Sequence, residues 1–340
     1  MSRYISPDTG KRLRRWNTAV IVMAVLTVLL AGAMLCCGNM FYAPSVVFRV
    51  LRGEMIPSAS YAVLRLRLPR MLAAVFSGMA FGMAGFVFQT VLRNPLASPD
   101  VIGISTSTSA AAVFCISLLG LQGIVVPAVS VLTGLIVSIV IYLLAARNGF
   151  SHVRMILIGI GVQAMLGAVI SWVLSRTSEY DVANTMRWMN GSLTNARMQE
   201  SLTVMVIALT GCLFLLVHRE AMRLIELGDE YAETLGGNIR HLYPKVIAAA
   251  VLLVAFATAA VGPVSSVSFL AGPIASRLSG RSRSTLIPSA LAGSVLVLAA
   301  DLIGQFLLPA RYPAGVITGL LGGPYLLYLL VTINRKGETG

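Results

Sequence analysis

Residues 69–91 read PRMLAAVFSGMAFGMAGFVFQTV, and Arg70 carries the only charge among them. About 20 apolar residues are enough for a helix to cross the hydrocarbon core of a bilayer. The whole chain has this character: hydrophobic residues make up 57% of its 340 positions and charged residues 11%, with a mean hydropathy of +0.84. A soluble domain needs about 25% charged residues to solvate its surface. The chain is therefore predicted to be an all-α, polytopic membrane protein.

Polar residues divide the chain into ten apolar segments, which predicts about ten transmembrane helices in a compact bundle. Their approximate bounds are 17–41, 69–91, 99–120, 123–146, 153–176, 201–217, 244–262, 266–278, 286–308 and 313–333. The eighth segment is short and contains Gly272-Pro273, which is typical of helices held inside a membrane protein rather than against lipid. The first segment follows several arginines, yet no small-residue cleavage site comes after it, so we expect a retained span.

The basic residues predict the topology, because Lys and Arg accumulate on the cytoplasmic side of membrane helices. With a cytoplasmic N-terminus, 17 of the 26 Lys and Arg lie inside, and an even number of spans places the C-terminus inside as well. This predicts a basic segment over 1–16, one ten-helix domain over 17–333 and a cytoplasmic tail over 334–340. The net charge of +13 is then a consequence of topology and of contact with anionic lipid, and nucleic acid is not an expected partner.

The sequence lacks the motifs that carry most enzymatic chemistry. It contains no GxxxxGK[ST] phosphate loop, no HExxH and no nucleophile elbow, so the chain is not expected to be an enzyme or to bind ATP itself. Its four cysteines lie in apolar runs without metal-ligand spacing to a histidine, so we expect neither a metal nor a disulfide. Asp301 is the only acidic residue deep in a predicted span, whereas proton-coupled transporters usually place several there.

The longest cytoplasmic segment, residues 222–245, reads MRLIELGDEYAETLGGNIRHLYPK. Four of the chain's thirteen acidic residues fall within eight positions, namely Glu226, Asp229, Glu230 and Glu233. Apolar residues recur here at helical spacing up to Leu235, and Gly236 is a stop signal. The pattern predicts one short amphipathic helix over about 222–237. It favours a docking helix for a soluble partner, and a solvated loop between spans is the alternative.

Two further patterns concern the membrane-spanning part. Arg67-Leu68-Pro69-Arg70 lies at the outer mouth of the second span, where positive charge opposes the cytoplasmic bias. It indicates either an acidic partner or snorkelling towards lipid phosphates. The spacings Gly78/Gly82 and Gly315/Gly319 are GxxxG patterns, which allow helix backbones to approach closely. We therefore interpret these four glycines as packing positions.

Several motifs in this order resemble the FecCD family, the permease subunits of bacterial ABC importers for iron–siderophore complexes, haem and vitamin B12. They are RLPR at 67–70, RNPLASP at 93–99, WMNGSL at 188–193, LGDE at 227–230, Gly262-Pro263, Ala300-Asp301 and PAGVITG at 313–319. Together they extend over nearly the whole chain. Residues 146–149 (ARNG) and 158–162 (IGIGV) are most similar to the ferric-enterobactin permeases of this family.

The resemblance implies an assembly in the bacterial cytoplasmic membrane. This chain would pair with a second permease, identical or homologous, and with two cytoplasmic ATPases that bind ATP and Mg. An outer substrate-binding protein would deliver the iron–siderophore, and no cofactor is expected on this chain itself. Such a permease moves a ferric siderophore unchanged along the permease–permease interface. A haem or B12 importer, and a self-sufficient secondary transporter, are the alternatives.

The resemblance also implies roles for individual residues. Arg67 and Arg70 match arginines that meet acidic residues of the binding protein, and the segment from Asp229 to Gly236 matches the helix that couples to the ATPase. The fifth span and the turn before it match the pathway wall and the inner gate, for which the candidates are His152, Val153, Gly159 and Gln163. Two departures stand out. The eighth span reads Ala271-Gly272-Pro273 where many members have Val-Pro-His, and Gln305 occupies the position of a further docking arginine, for which Arg311 is the candidate substitute.

Overall fold

The computed structural model describes residues 7–121, 123–147, 150–178, 182, 185–186, 188–235, 239–264, 266–280 and 284–337, and the regular elements within them are all helical. The helices are α1 Pro7–Cys36, α2 Pro44–Leu51, α3 Ala59–Val91, α4 Ile104–Ser117, α5 Val125–Ala146, α6 His152–Ser175, α7 Met198–Val217, α8 Arg219–Leu227, α9 Asp229–Thr234, α10 Ile239–Val261, α11 Val267–Ser279, α12 Leu286–Leu307 and α13 Ala314–Gly337. A π-helical turn lies in α3 at Ala62–Arg67 and another in α12 at Ile303–Leu307.

Ten of these helices lie at the positions of the ten predicted spans, which confirms the all-α polytopic fold. Seven are long and apolar enough to cross a membrane, namely α1, α3, α5, α6, α7, α10 and α12. Helix α4 and the Ala314–Leu329 part of α13 are shorter apolar helices at predicted positions, and α11 lies at the position of the eighth predicted span. Following the predicted topology, we call the end with the first turns of α3 the outer end and the end with α8 and α9 the inner end.

Two predicted boundaries are wrong for local reasons. The first span begins at Pro7 rather than near residue 17, because the basic segment continues the helix and Arg15 Nε donates to the Leu278 carbonyl of α11 at 3.1 Å. The third span is not continuous from residue 99. A 3-10 turn over Pro99–Ile102 ends at Gly103, whose φ of +73° interrupts the helix before α4 begins.

Helix α3 is the centre of the bundle, since it packs against α12, α10, α7, α11 and α1. In its most apolar stretch 72% of the residues are buried, against 17% for α6. Backbone contact between α3 and α12 explains this packing: a Cβ at Gly78 would collide with the Gly293 carbonyl, and one at Gly82 with the Ser289 carbonyl. Ser294 Oγ also donates across the contact to the Val75 carbonyl at 2.8 Å.

Leucine at Gly82 is expected to lower the free energy of unfolding by about 1–3 kcal/mol or more, because the new side chain must displace the Ser289 backbone. Thermal unfolding of the detergent-solubilised protein measures this. Gly32→Ala is the matched control, since Gly32 lies exposed in α1 with nothing within 4 Å of an added Cβ. A stable Gly82→Leu variant with altered substrate preference would contradict a packing role.

Helix α11 is held to α3 at its internal proline. Pro273 has no N–H, so the Phe269 carbonyl four residues earlier loses its intrahelical partner. Gln89 Nε2 on α3 donates to that carbonyl at 3.1 Å. Gly272 allows this approach, because a Cβ there would collide with the Gln89 amide. The amide of one helix therefore completes the hydrogen bonding of another.

Three of the sequence motifs meet at the outer end. Gly191 has a φ of +65° and Gly262 a φ of +75°, and a Cβ on either would collide with the other's segment. The Gly315 N–H donates to the Gly191 carbonyl at 3.1 Å, and a Cβ on Gly315 would collide with the Asn190 carbonyl. Gly319, one turn further along α13, is half-buried. These contacts connect the loop before α7 to the loop after α10 and to the start of α13.

Candidate functional site

Arg67 lies at the outer end, where it holds the last turn of α1. Its Nη1 donates to the carbonyls of Leu35 at 2.9 Å and Cys36 at 2.7 Å, and its Nη2 donates to the Met40 carbonyl at 2.6 Å. The guanidinium carbon also lies 4.8 Å from the centroid of the Tyr42 ring. The last carbonyls of a helix lack intrahelical partners and favour a cation. Arg67 therefore binds within its own chain.

Arg70 forms a bidentate ion pair with Asp301. Its Nε lies 2.8 Å from Asp301 Oδ2 and its Nη2 lies 2.7 Å from Asp301 Oδ1. The side chain of Asp301 is 2% exposed and that of Arg70 is 19% exposed, so the pair is largely removed from water. It connects the outer part of α3 to the outer part of α12. The acidic residue that the sequence shows alone in a span has a basic partner in the fold.

The third predicted docking arginine, Arg311, is exposed, and its Nη2 donates to Asn39 Oδ1 at 2.5 Å. Because Arg67 bonds to Met40, Arg67 and Arg311 meet on the same loop. In the chain alone, Arg67 is engaged by backbone carbonyls and Arg70 by Asp301. The structure places the three arginines at one corner of the outer end. Docking of a partner by them stays a prediction.

Sequence reasoning missed other arginines of this corner. Arg49, at the end of α2, donates from Nε to Glu54 Oε2 at 2.6 Å and holds the pKa of that carboxyl below its usual range. Arg52 lies over the Phe48 ring at 4.3 Å from its centroid. Arg65 is exposed two positions before Arg67. RLRLPR contained the signal for Arg65, because Arg67 and Arg70 are three positions apart and are neighbours on the helix, whereas Arg65 lies two positions before Arg67 and faces another side.

At the inner end, the structure corrects the single helix predicted over 222–237. Helix α8 ends at Leu227 and α9 begins at Asp229, and Gly228 between them has a φ of +115°. This backbone conformation is accessible to glycine and strained for other residues. The single helix was predicted because the apolar residues keep helical spacing on both sides of Gly228. In the structure that glycine ends the first helix. Gly236, the predicted stop, lies outside the described residues.

The α8–α9 pair buries one face and exposes the other. Met222, Ile225 and Ala232 are buried against the bundle. The exposed side carries Glu226, Tyr231, Glu233 and Leu235, which we call the inner docking face. Tyr231 is 68% exposed and Leu235 is 64% exposed, although both are large apolar side chains. Asp229 and Glu230, also predicted to couple, form the first turn of α9.

The end of α3 and the turn after it contact the α8–α9 pair. Arg93 Nε donates to the Ile225 carbonyl of α8 at 2.9 Å, and Arg93 Nη2 lies 3.5 Å from the hydroxyl of Tyr243 on α10. Thr90 Oγ1 lies 3.5 Å from Glu226 Oε1. The RNPLASP motif begins at Arg93, so its first side chain reaches the end of α8.

The four predicted gate and pathway residues lie on two faces of α6. Val153 is 67% exposed, on the same side of the helix as exposed Leu157 and Ile160. Gly159 is buried, and both Gly159 and Gln163 face Gly103 at the start of α4, within 3.7–3.8 Å of a Cβ placed there. Gly159 therefore packs within the chain, whereas Gln163 is exposed beside this contact, and a pathway role for the four residues stays a prediction.

His152, the first residue of α6, belongs to an aromatic cluster at the inner end. Phe150 stacks on Tyr243 with ring centroids 4.9 Å apart and meets His152 edge-on at 5.1 Å. Tyr142 of α5 lies 5.8 Å from Phe150. Across the part of the chain that the structure describes, no three His, Cys, Asp or Glu residues are grouped to hold a metal ion. The inner end is thus built from aromatic packing and hydrogen bonds.

These features define the class of protein: a multi-pass helical membrane protein with one paired polar corner outside and an acidic pair of short helices inside. The FecCD transport family matches residues 21–332, so the chain belongs to the FecCD transport family. It is accordingly a transport permease of the ABC importer type and a multi-pass protein of the inner membrane.

Individual relatives agree with this. The chain is 40% identical over 296 residues to the ferric enterobactin transport system permease protein FepG of Escherichia coli (strain K12), covering 86% of this chain and 89% of that protein. It is 32% identical over 333 residues to the Fe(3+)-citrate import system permease protein YfmE of Bacillus subtilis (strain 168), covering 96% and 99%. In fold it is similar to an inward-facing ABC transporter of metal-chelate type, with a TM-score of 0.80, 24% identity, and 93% and 99% of the two chains covered.

Proposed function

We propose that this chain is the membrane-spanning subunit of an ATP-driven importer that carries a ferric siderophore into the cytoplasm. Its partners are two cytoplasmic ATPases, a second permease and an outer substrate-binding protein. ATP and Mg²⁺ bind to the ATPases, while this chain binds no cofactor and catalyses no reaction. Its own work is to provide a path that opens alternately to each side.

The inner docking face is the observation that carries the proposal. Tyr231 and Leu235 are too exposed to contribute to this chain's own core, and Glu226 and Glu233 surround them with negative charge. An aromatic or aliphatic anchor within a polar rim is typical of a protein–protein interface. The buried Met222 and Ile225 fix this face to the bundle. A force applied there by an ATPase is therefore transmitted to the membrane helices.

The second permease is supported by α6. Only 17% of its most apolar stretch is buried within the chain, although α6 follows the predicted gate turn directly. Val153, Leu157, Ile160 and Met165 are all more than half exposed. We propose that this face of α6 meets a second permease and forms one wall of the pathway.

The ferric siderophore is the proposed substrate because the relative at 40% identity is named for ferric enterobactin transport. The relative at 32% identity is named for ferric citrate, so both are permeases for iron chelates. A path lined with small and apolar side chains suits a bulky chelate that passes without chemical change. Haem and vitamin B12 are the alternative substrates, since relatives at 30% and 29% identity are named for hemin and cobalamin transport.

The expected result is ATP-dependent uptake of a ⁵⁵Fe-labelled siderophore by proteoliposomes containing the chain, its ATPase and its binding protein. Uptake should require ATP on the side of the membrane that carries the ATPase. A protonophore should not reduce it, because no proton gradient drives the transport. A Walker-type lysine variant of the ATPase is the matched control and should stop uptake. Uptake by the chain alone, collapsed by the protonophore, would contradict the proposal and indicate a secondary transporter.

A further inference from the structure

The end of α3 has an unusual residue at its capping position. The Arg93 N–H donates to the Thr90 carbonyl at 3.3 Å and the Asn94 N–H donates to the Gln89 carbonyl at 3.1 Å. This pair of bonds is the Schellman motif that ends many helices, and the residue at the position of Arg93 is usually glycine because its φ is positive. Arg93 has a φ of +47°. A strained backbone held by a long charged side chain indicates that the side chain is needed there.

The Arg93 side chain reaches two separate elements of the inner end. Its Nε donates at 2.9 Å to the Ile225 carbonyl, in the last turn of α8, where a cation is favoured. Its Nη2 lies 3.5 Å from the Tyr243 hydroxyl. Ile225 is 0% exposed and Tyr243 is 4% exposed, so both partners are fixed by packing. One guanidinium therefore joins the coupling helices to α10.

Tyr243 continues the contact to the start of α6. Its ring stacks on Phe150, and its centroid lies 5.8 Å from that of His152. Phe150 and His152 stand on either side of the point where α6 begins. A displacement of α8 would thus press on this turn through two side chains. Variants that separate packing from transmission test this link.

We propose that Arg93 and Tyr243 are positioning residues that transmit movement of α8–α9 to the turn at His152, where α6 begins. This inference rests on the proposed function, because the movement comes from ATP hydrolysis by the partner. Arg93 holds the end of α8 by its backbone carbonyl, so the link does not depend on which side chains contact the ATPase. Tyr243 forms the second contact of the link: its hydroxyl meets Arg93 and its ring stacks on Phe150.

The test uses Arg93→Gly and Tyr243→Phe in the assembled importer. Glycine removes the guanidinium and relieves the positive φ, so the unfolding temperature should stay the same or rise. The number of siderophore molecules imported per ATP hydrolysed should fall about tenfold. A change of this size lies within the range by which substitutions along a coupling route alter the coupling between two sites. Tyr243→Phe should give a smaller loss. The double variant should be no worse than Arg93→Gly, because both changes break one link.

Tyr142→Phe is the matched control, since Tyr142 touches the same Phe150 ring without reaching Arg93, and its transport per ATP should equal wild type. An Arg93→Gly importer that keeps wild-type transport per ATP overturns the link. So does a double variant whose losses multiply. If the wild-type importer itself shows no ATP-driven uptake, the proposed function fails first, which keeps the two failures distinct.

Discussion

Replacing Asp301 with leucine is expected to lower the free energy of unfolding by about 3–5 kcal/mol, because it leaves the Arg70 guanidinium buried without its partner. The two side chains share two hydrogen bonds of 2.7 and 2.8 Å and little water reaches them. A charge left alone at membrane depth is costly wherever it cannot reach the interface. Thermal or denaturant unfolding of the purified protein measures the loss.

The double variant Arg70→Met with Asp301→Leu separates stability from binding. Replacing both members of a buried pair by apolar residues is often neutral or stabilising, so most of the lost stability should return. If Arg70 also docks the binding protein, the restored variant should still bind that protein more weakly than wild type. An Asp301→Leu protein that unfolds at the wild-type temperature would contradict the importance of the pair.

The second large effect is expected in α9, which carries part of the inner docking face. Reversing the charge at Glu230 and Glu233 to lysine should reduce ATP-driven uptake by roughly 100-fold or more, since like charges brought together at an interface cost several kcal/mol. Glu233 is exposed in α9, so its replacement should leave the fold intact. Copurification of the ATPase with the tagged chain should fall in parallel.

Glu220→Lys is the matched control for this reversal. Glu220 lies in the first turn of α8, two residues before the cytoplasmic segment 222–245, and forms exposed ion pairs with Arg219 at 3.2 Å and Arg223 at 3.1 Å. Such exposed pairs contribute about 0–1 kcal/mol, so uptake should change little. Full uptake and full ATPase copurification in the Glu230/Glu233 variant would show that coupling occurs elsewhere.

The sequence predicted the helices well because the physical cause is local. A stretch such as residues 69–91 must satisfy its backbone within itself once it enters a bilayer, so length and hydropathy are sufficient to locate it. Gly272-Pro273 likewise indicated an interior helix, and α11 is buried along much of its length. The break at Gly228 was missed because the apolar residues keep their helical spacing across it. The backbone of Gly228, with its positive φ, nevertheless leaves the helical conformation.

The pairings at the two ends could not be predicted in the same way. Arg70 and Asp301 are 231 positions apart, and nothing near either residue indicates the other. The topology supplied a partial signal, since it places the start of the second span and the end of the ninth at the same membrane face. The partners of Arg67 could not be predicted either, because they are backbone carbonyls, which no sequence pattern marks.

The contact between α3 and α12 has a consequence for how the chain is made. Ser294 donates to the Val75 carbonyl across 219 positions of sequence, and Gly78 meets Gly293 beside it. At a synthesis rate of about 5–20 residues per second, α12 emerges roughly 10–40 s after α3. During that interval α3, whose most apolar stretch is 72% buried in the finished protein, stands in the membrane with its glycine face open. Biogenesis therefore has to shelter α3 from wrong partners until translation is nearly complete.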